Sequence, residues 1–104
     1  MSRQGGFLIM HVISRKALRE FSDIHADAEI PLNVWYRIAK SATWKNIMDV
    51  KEVRPDADFV DGYTVFNIKG NNYRLITEIN YKSQTIFIRH VFTHTEYDEG
   101  KWKK

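Results

Sequence analysis

Two arginines, Arg74 and Arg89, each interrupt a run of residues that otherwise reads as buried β-strand. Near them in sequence stand Lys69 in a turn, His90, His94 and Tyr97 towards the end of the chain, and a basic tail with Trp102 and Lys103. An isolated charge is costly to bury, so each arginine needs a rim position, a carboxylate partner or an anionic ligand. The set as a whole fits chemistry on phosphate. RNA can be cut without a metal when its 2′-hydroxyl is deprotonated to attack the neighbouring phosphate. That reaction needs a base, cations around the pentavalent phosphorane and an acid for the leaving oxygen. Guanidinium groups bind phosphate bidentately and stabilise such charge, while lysine acts as a point charge. Histidine and tyrosine can carry the proton, histidine more readily near neutral pH. Aromatic rings such as Tyr97 and Trp102 can stack on unpaired bases.

Each candidate also has a structural reading. Arg74 can pair with Glu78 or another carboxylate, and Arg89 can sit in an ion pair of its own. Lys69 in a turn is most often solvated, and His11 and His25 read as hydrogen-bonded or surface residues. His90 and His94 lie four apart, but no third ligand accompanies them, so no metal site is expected. Trp35 and Trp44 read as core or partner contacts. The chain has no P-loop, GxSxG elbow or helix-turn-helix, which leaves nucleotide hydrolysis and acyl transfer without support.

The elements that must position these groups are three β-rich runs, YTVFNI, YRLITEINY and TIFIRHVF, joined by the short connectors KGNN and KSQ. Short connectors rich in turn formers predict an antiparallel meander. Alternation along a strand sets Arg74 on the face of Ile76, Glu78 and Asn80, opposite Tyr73, Leu75, Thr77 and Ile79. The second set reads as core, so the sheet has one dry face and one able to carry a site. On the last strand Arg89 and His90 point to opposite faces in a regular ladder; register or a bulge decides which reaches the site.

Upstream, Phe7 to Ile13 reads as a further strand, and Ser14 as the N-cap of a helix over about residues 15–28. Its apolar face is Ala17, Leu18, Phe21, Ile24 and His25. Pro31 suits the first turn of a second helix, with Leu32, Trp35, Ile38 and Ala39 as its buried stripe. Trp44 to Val50 reads as a short irregular or helical cover. Residues 51–62 read as loop, until Asp61-Gly62 turns the chain into the meander. The fold class is α+β in the order β-α-α-β-β-β, with both helices on one face of a four-stranded sheet.

The 104 residues suit one domain, and a 43% hydrophobic and 28% charged composition suits a folded globule. Residues 1–9 read as a loose extension or an extended start, and 10–104 as the domain. No apolar run reaches the ~18 residues needed to span a bilayer, and the N-terminus lacks a signal-peptide h-region. The absence of cysteine removes disulfides and thiolate chemistry. These features point to the cytoplasm. A net charge of +3 is a mild pointer to an anionic partner.

At these same residues, VFNIKGNNYRLI followed by IFIRHVFTHTEYDEGKW resembles the HigB-type toxins, a branch of the RelE-like mRNA-cleaving toxins. The resemblance begins at Met10-His11-Val12-Ile13 and includes the WKN of Trp44 to Asn46. It implies a small sheet backed by two helices. It also implies endoribonuclease activity on translated mRNA, generally at the ribosome, with no metal or other cofactor. By the same resemblance Lys69, Arg74 and Arg89 take the places of phosphate-binding basic residues. His94 and Tyr97 fall where such toxins keep a proton-transfer or base-stacking residue, and His90, Trp102 and Lys103 are expected to contact RNA. The implied partner is a HigA-like helix-turn-helix antitoxin, through which the pair binds operator DNA, with no membrane association. A rival from another class is a non-catalytic RNA- or ribosome-binding regulator on the same scaffold. A plain protein-interaction module is the third reading.

Overall fold

The structure, a computed structural model, describes residues 10–100 and Trp102. The proposed extension, the first part of the N-terminal strand and Lys103 lie outside the described residues. The sheet is five-stranded, in the order β1-β5-β4-β3-β2. Its strands are β1 (His11–Ile13), β2 (Asp58–Val60), β3 (Tyr63–Ile68), β4 (Tyr73–Asn80) and β5 (Thr85–Thr93). The expected meander is β3-β4-β5, antiparallel throughout. The N-terminal strand β1 adds to β5 in parallel, at the edge. Residues between β1 and β5 supply the long crossover that a parallel pair requires.

The fifth strand is β2, inside the stretch expected to be loop. Asp61 and Gly62 both have positive φ, 56° and 89°. That two-residue turn closes β2 onto β3 as an antiparallel hairpin. An Asp-Gly pair makes such a hairpin only if a strand precedes it, so the turn residues carry the signal for β2.

The helices are α1 (Arg15–Ile24), α2 (Glu29–Ser41), α3 (Ile47–Val53) and α4 (His94–Glu99). The first expected helix is shorter than its apolar pattern. At His25 the backbone leaves the helix (φ −118°, ψ 83°), and a 3-10 turn, Ala26–Ala28, leads into α2. His25 instead stacks on Phe21 and leans on Tyr73. Ile24, expected on the apolar face, is 80% exposed.

One face of the sheet carries the main core. Leu32, Trp35 and Ala39 of α2 are buried against Phe66, Ile68, Leu75 and Ile86, with Leu18 of α1 and Val50 of α3 closing the edges. Trp35 has no exposed surface and meets Phe66 edge-on, with ring centroids 5.3 Å apart. Burial of a large aromatic on this scale means that Trp35→Ala costs about 3–5 kcal/mol. Trp44 is buried as well, so both tryptophans belong to the core.

The opposite face is not simply half polar. Tyr63, Val65, Ile76 and Trp102 form a second, smaller cluster there, with Val60, Phe92 and Tyr97 packed on it. The lid on that cluster is α4, which follows β5 directly and carries His94 and Tyr97. Thr93 caps α4 in a capping box: its side chain accepts from Glu96 N, and Glu96 reciprocates to Thr93 N. Gly100 ends it in the left-handed conformation. The T-x-x-E spelling of Thr93 to Glu96 is a start signal for a helix.

Candidate phosphate and RNA site

A bulge in β5 decides which side chains share the second face. Ile76 lies opposite His90 but Thr77 lies opposite Ile88, so Arg89 is the extra residue without a partner across the ladder. Ile88 and Val91 both pack on the helix-side core although they are three positions apart. The bulge absorbs the odd step. His90 therefore joins Phe92 on the face away from the helices. Arg89 reaches the same face, where its Nε meets Glu78 Oε1 at 2.6 Å and its guanidinium lies 4.9 Å from the Phe87 ring centroid. The alternation that set Arg89 against His90 is thus resolved in favour of both.

Arg74 is the centre of this face. It lies opposite Phe92 on β5 and Asn67 on β3, and is 9% exposed. Its Nη1 donates to Asn71 O at 2.9 Å and to Tyr73 O at 3.3 Å, and its Nη2 donates to Asn71 Oδ1 at 2.8 Å. All three acceptors are neutral. No carboxylate among the described residues pairs with Arg74; Glu78, the partner its sequence position offered, pairs with Arg89 instead. The guanidinium lies over the Tyr97 ring, 5.2 Å from its centroid. A ring face stabilises a cation without neutralising it.

Tyr97 is held from below. Trp102 stacks under it at 5.2 Å, donates Nε1 to Tyr97 O at 3.2 Å, and meets Tyr63 edge-on. Burial pushes the Tyr97 phenol above its ordinary value; Asp58 adds to the shift, Arg74 opposes it and Asp98 adds slightly. The phenol is a proton donor at neutral pH. Trp102 is 8% exposed. Its expected stacking on bases is not what this placement offers: the indole is buried, stacked on Tyr97 and in edge contact with Tyr63.

His90 is exposed and stacked on Phe92, with centroids 4.9 Å apart and planes at 13°. His94 opens α4; its Nδ1 lies 3.4 Å from Asp98 Oδ2, and both are about half exposed. Among the described candidates, Lys69 alone turns the other way. Its Nζ meets Asp27 Oδ2 at 2.7 Å, and the other oxygen of Asp27 accepts from the Tyr73 hydroxyl on the helix side of the sheet. Those two bonds, Lys69 first, hold the Asp27 carboxyl below its ordinary value, and the same carboxylate pushes the Tyr73 phenol up. The structure thus brings Arg74, Tyr97, His90 and Arg89 to one face, with His94 at the helix start, and leaves Lys69 behind the sheet.

Sequence reasoning missed Asn71, Phe87 and Phe92. Phe87 and Phe92 were legible only as strand apolar residues, and Asn71 only as a turn former. A cleft lined by Arg15, Leu18, Arg19, Ser22, Asp23, Glu29 and Asn33 lies on the helix layer, away from Arg74. Among the described residues, no three His, Cys, Asp or Glu side chains converge as a metal site requires.

The site thus holds a nearly buried guanidinium with no carboxylate partner among the described residues, a phenol ring beneath it and an exposed, stacked histidine on the same face. The model of the HigB toxin family, the RelE-like toxic component of a toxin–antitoxin system, matches residues 28–100. The chain belongs to that family. It is 32% identical over 92 residues to the mRNA interferase toxin HigB of Escherichia coli K12, covering 86% of this chain and 88% of the relative. The mRNA interferase HigB of Shigella flexneri matches to the same extent. That of Escherichia coli O6:H1 is 27% identical over 93 residues, covering 86% and 90%. The matched span of the family model includes all of β2 to α4, and with them every candidate from Lys69 to Tyr97.

Proposed function

We propose that this family member is an mRNA interferase, an endoribonuclease that cuts translated messages and thereby stops translation and growth. The observation that carries the reading is Arg74, a nearly buried cation whose partners among the described residues are all neutral. Keeping such a charge unneutralised is costly unless an anion completes it, and RNA phosphate is the anion that fits.

In the reaction the 2′-hydroxyl attacks the adjacent phosphate. Arg74 stabilises the charge that builds on the phosphorane oxygens. Tyr97, protonated at neutral pH and lying beneath the guanidinium, donates to a phosphate oxygen or to the leaving 5′-oxygen. His94 and His90 stand beside these groups as the candidate proton carriers. The His90–Phe92 stack offers an unpaired base a flat surface, and Arg89 over Phe87 steers the backbone along the strand. Lys69 serves this site indirectly, by holding the turn that precedes Arg74. The chemistry draws on side chains alone and calls for no cofactor.

Substrate delivery by the ribosome and control by a HigA-like helix-turn-helix antitoxin, with operator DNA bound through the antitoxin, complete the reading. The test is induced expression with growth followed and mRNA 5′ ends mapped. New ends inside translated messages, accompanying growth arrest, are expected. Unchanged transcripts with folded protein present would leave the non-catalytic RNA-binding reading in place.

A further inference from the structure

The β3–β4 turn, Lys69 to Asn72, is fastened on three sides. On the helix side Lys69 is held by Asp27, which also binds the hydroxyl of Tyr73. Lys69 has φ 52°, a left-handed conformation that L-residues rarely adopt, and its ion pair with Asp27 anchors this end of the turn. At the end of the turn Asn72 O accepts from His94 N at 2.9 Å, which ties the turn to the first residue of α4. On the site face Asn71 grips Arg74. The turn therefore links Arg74 to the helix that carries Tyr97, in addition to the strand pairing and to the direct contact of the guanidinium with the Tyr97 ring.

We propose that Asn71 is a positioning residue for Arg74: a neutral cradle that aims the guanidinium while leaving its positive charge available to phosphate. The inference rests on the reading of Arg74 as the phosphate contact. Asn71 offers two acceptors, its carbonyl O at 2.9 Å from Nη1 and its Oδ1 at 2.8 Å from Nη2. With both terminal nitrogens engaged from one side, rotation of the guanidinium is restricted and its remaining donors have a defined direction.

The choice of an amide is what matters. An aspartate has nearly the same shape and accepts the same Nη2 hydrogen bond more strongly, because a charged acceptor roughly doubles the strength of such a bond. Stability alone therefore favours aspartate. The amide differs in leaving Arg74 uncompensated. Arg89, on the same face, shows the other arrangement, with a carboxylate at 2.6 Å.

The experiment compares the wild type with Asn71→Asp, Asn71→Ala and Arg74→Ala. Cleavage of a defined message is followed by 5′-end mapping in a cell-free translation reaction, over a range of message concentrations, and thermal unfolding is measured on each protein. Asn71→Asp is expected to melt at or above the wild-type temperature and yet to cut about tenfold or more slowly at saturating message. Asn71→Ala is expected to lose part of both. A merely structural Asn71 would give an aspartate variant whose activity follows its stability, so full cleavage by Asn71→Asp overturns the proposal. So does wild-type cleavage by Asn71→Ala. If Arg74→Ala cuts normally, the underlying reading of Arg74 falls instead, which separates the two failures.

Discussion

Arg74 and Arg89 are the same residue type on the same face of the same sheet, yet they are held in opposite ways. Arg74 is 9% exposed and, among the described residues, bonded only to carbonyl and amide oxygens. The Arg89 side chain is 44% exposed and bonded to a carboxylate. Burial raises the cost of an unpaired charge, so ordinary stability would assign the carboxylate to the buried arginine. The chain does the reverse. On the proposed reading, the difference marks Arg74 as a group kept ready for an anion and Arg89 as a rim charge that is mostly satisfied. Lys69 extends the contrast, since it too has a carboxylate, Asp27, and it too lies away from the Tyr97 ring.

The comparison is broken most directly at Arg74. Arg74→Ala is expected to lower cleavage by about 100-fold or more, and Arg74→Lys to recover little, because an ammonium lacks the bidentate fork. Tyr97→Phe keeps the ring over Trp102 and beneath Arg74 and removes only the hydroxyl. A loss of about tenfold to a hundredfold in cleavage rate with an unchanged melting temperature is expected if the phenol donates a proton. Arg89→Ala removes a rim cation. RNA affinity should fall a fewfold, and the slope of log affinity against log salt should drop by about 0.7, one phosphate contact on a single strand. Glu78→Gln sharpens the same point in the opposite direction. Freeing Arg89 should tighten RNA binding by about twofold to threefold, the scale of one exposed ion pair.

The Asp27 cluster yields a prediction on stability rather than cleavage. The folded state holds the Asp27 carboxyl below its ordinary range, so its contribution is present above that range and is lost as pH falls through the folded value. The Tyr73 phenol is raised by the same bond, so that contribution is present below the ordinary phenol value of 10.0 and is lost as pH climbs through the raised one. The gap in melting temperature between wild type and Asp27→Ala is therefore expected to be widest between these limits and to shrink at both ends. A gap that is flat from acid to alkaline pH would contradict the cluster as the anchor of the turn.

The fold was largely legible because its signals are local. The apolar runs from Tyr63 onward, the short connectors and the stripe of Leu32, Trp35 and Ala39 each depend on neighbours within a few residues. Two further local signals belong to β2 and α4: the Asp61-Gly62 turn demands a strand before it, and Thr93 to Glu96 spell a helix start. The site was less legible because its deciding contacts are long-range. Lys69 meets Asp27 across 42 positions and Arg89 meets Glu78 across 11. No periodicity reports which cation takes which carboxylate. The bulge at Arg89 is equally silent in sequence, and it alone brings Arg89 and His90 to one face.

The most direct measurement sets Arg74→Ala beside Arg89→Ala in the same cell-free translation reaction, with message 5′ ends counted over time and folding confirmed by thermal unfolding. The expected result is two folded proteins, the first without detectable cutting and the second within a fewfold of wild type. Equal losses, or a larger loss at Arg89, would contradict the claim that the arginine without a carboxylate is the one that acts on phosphate.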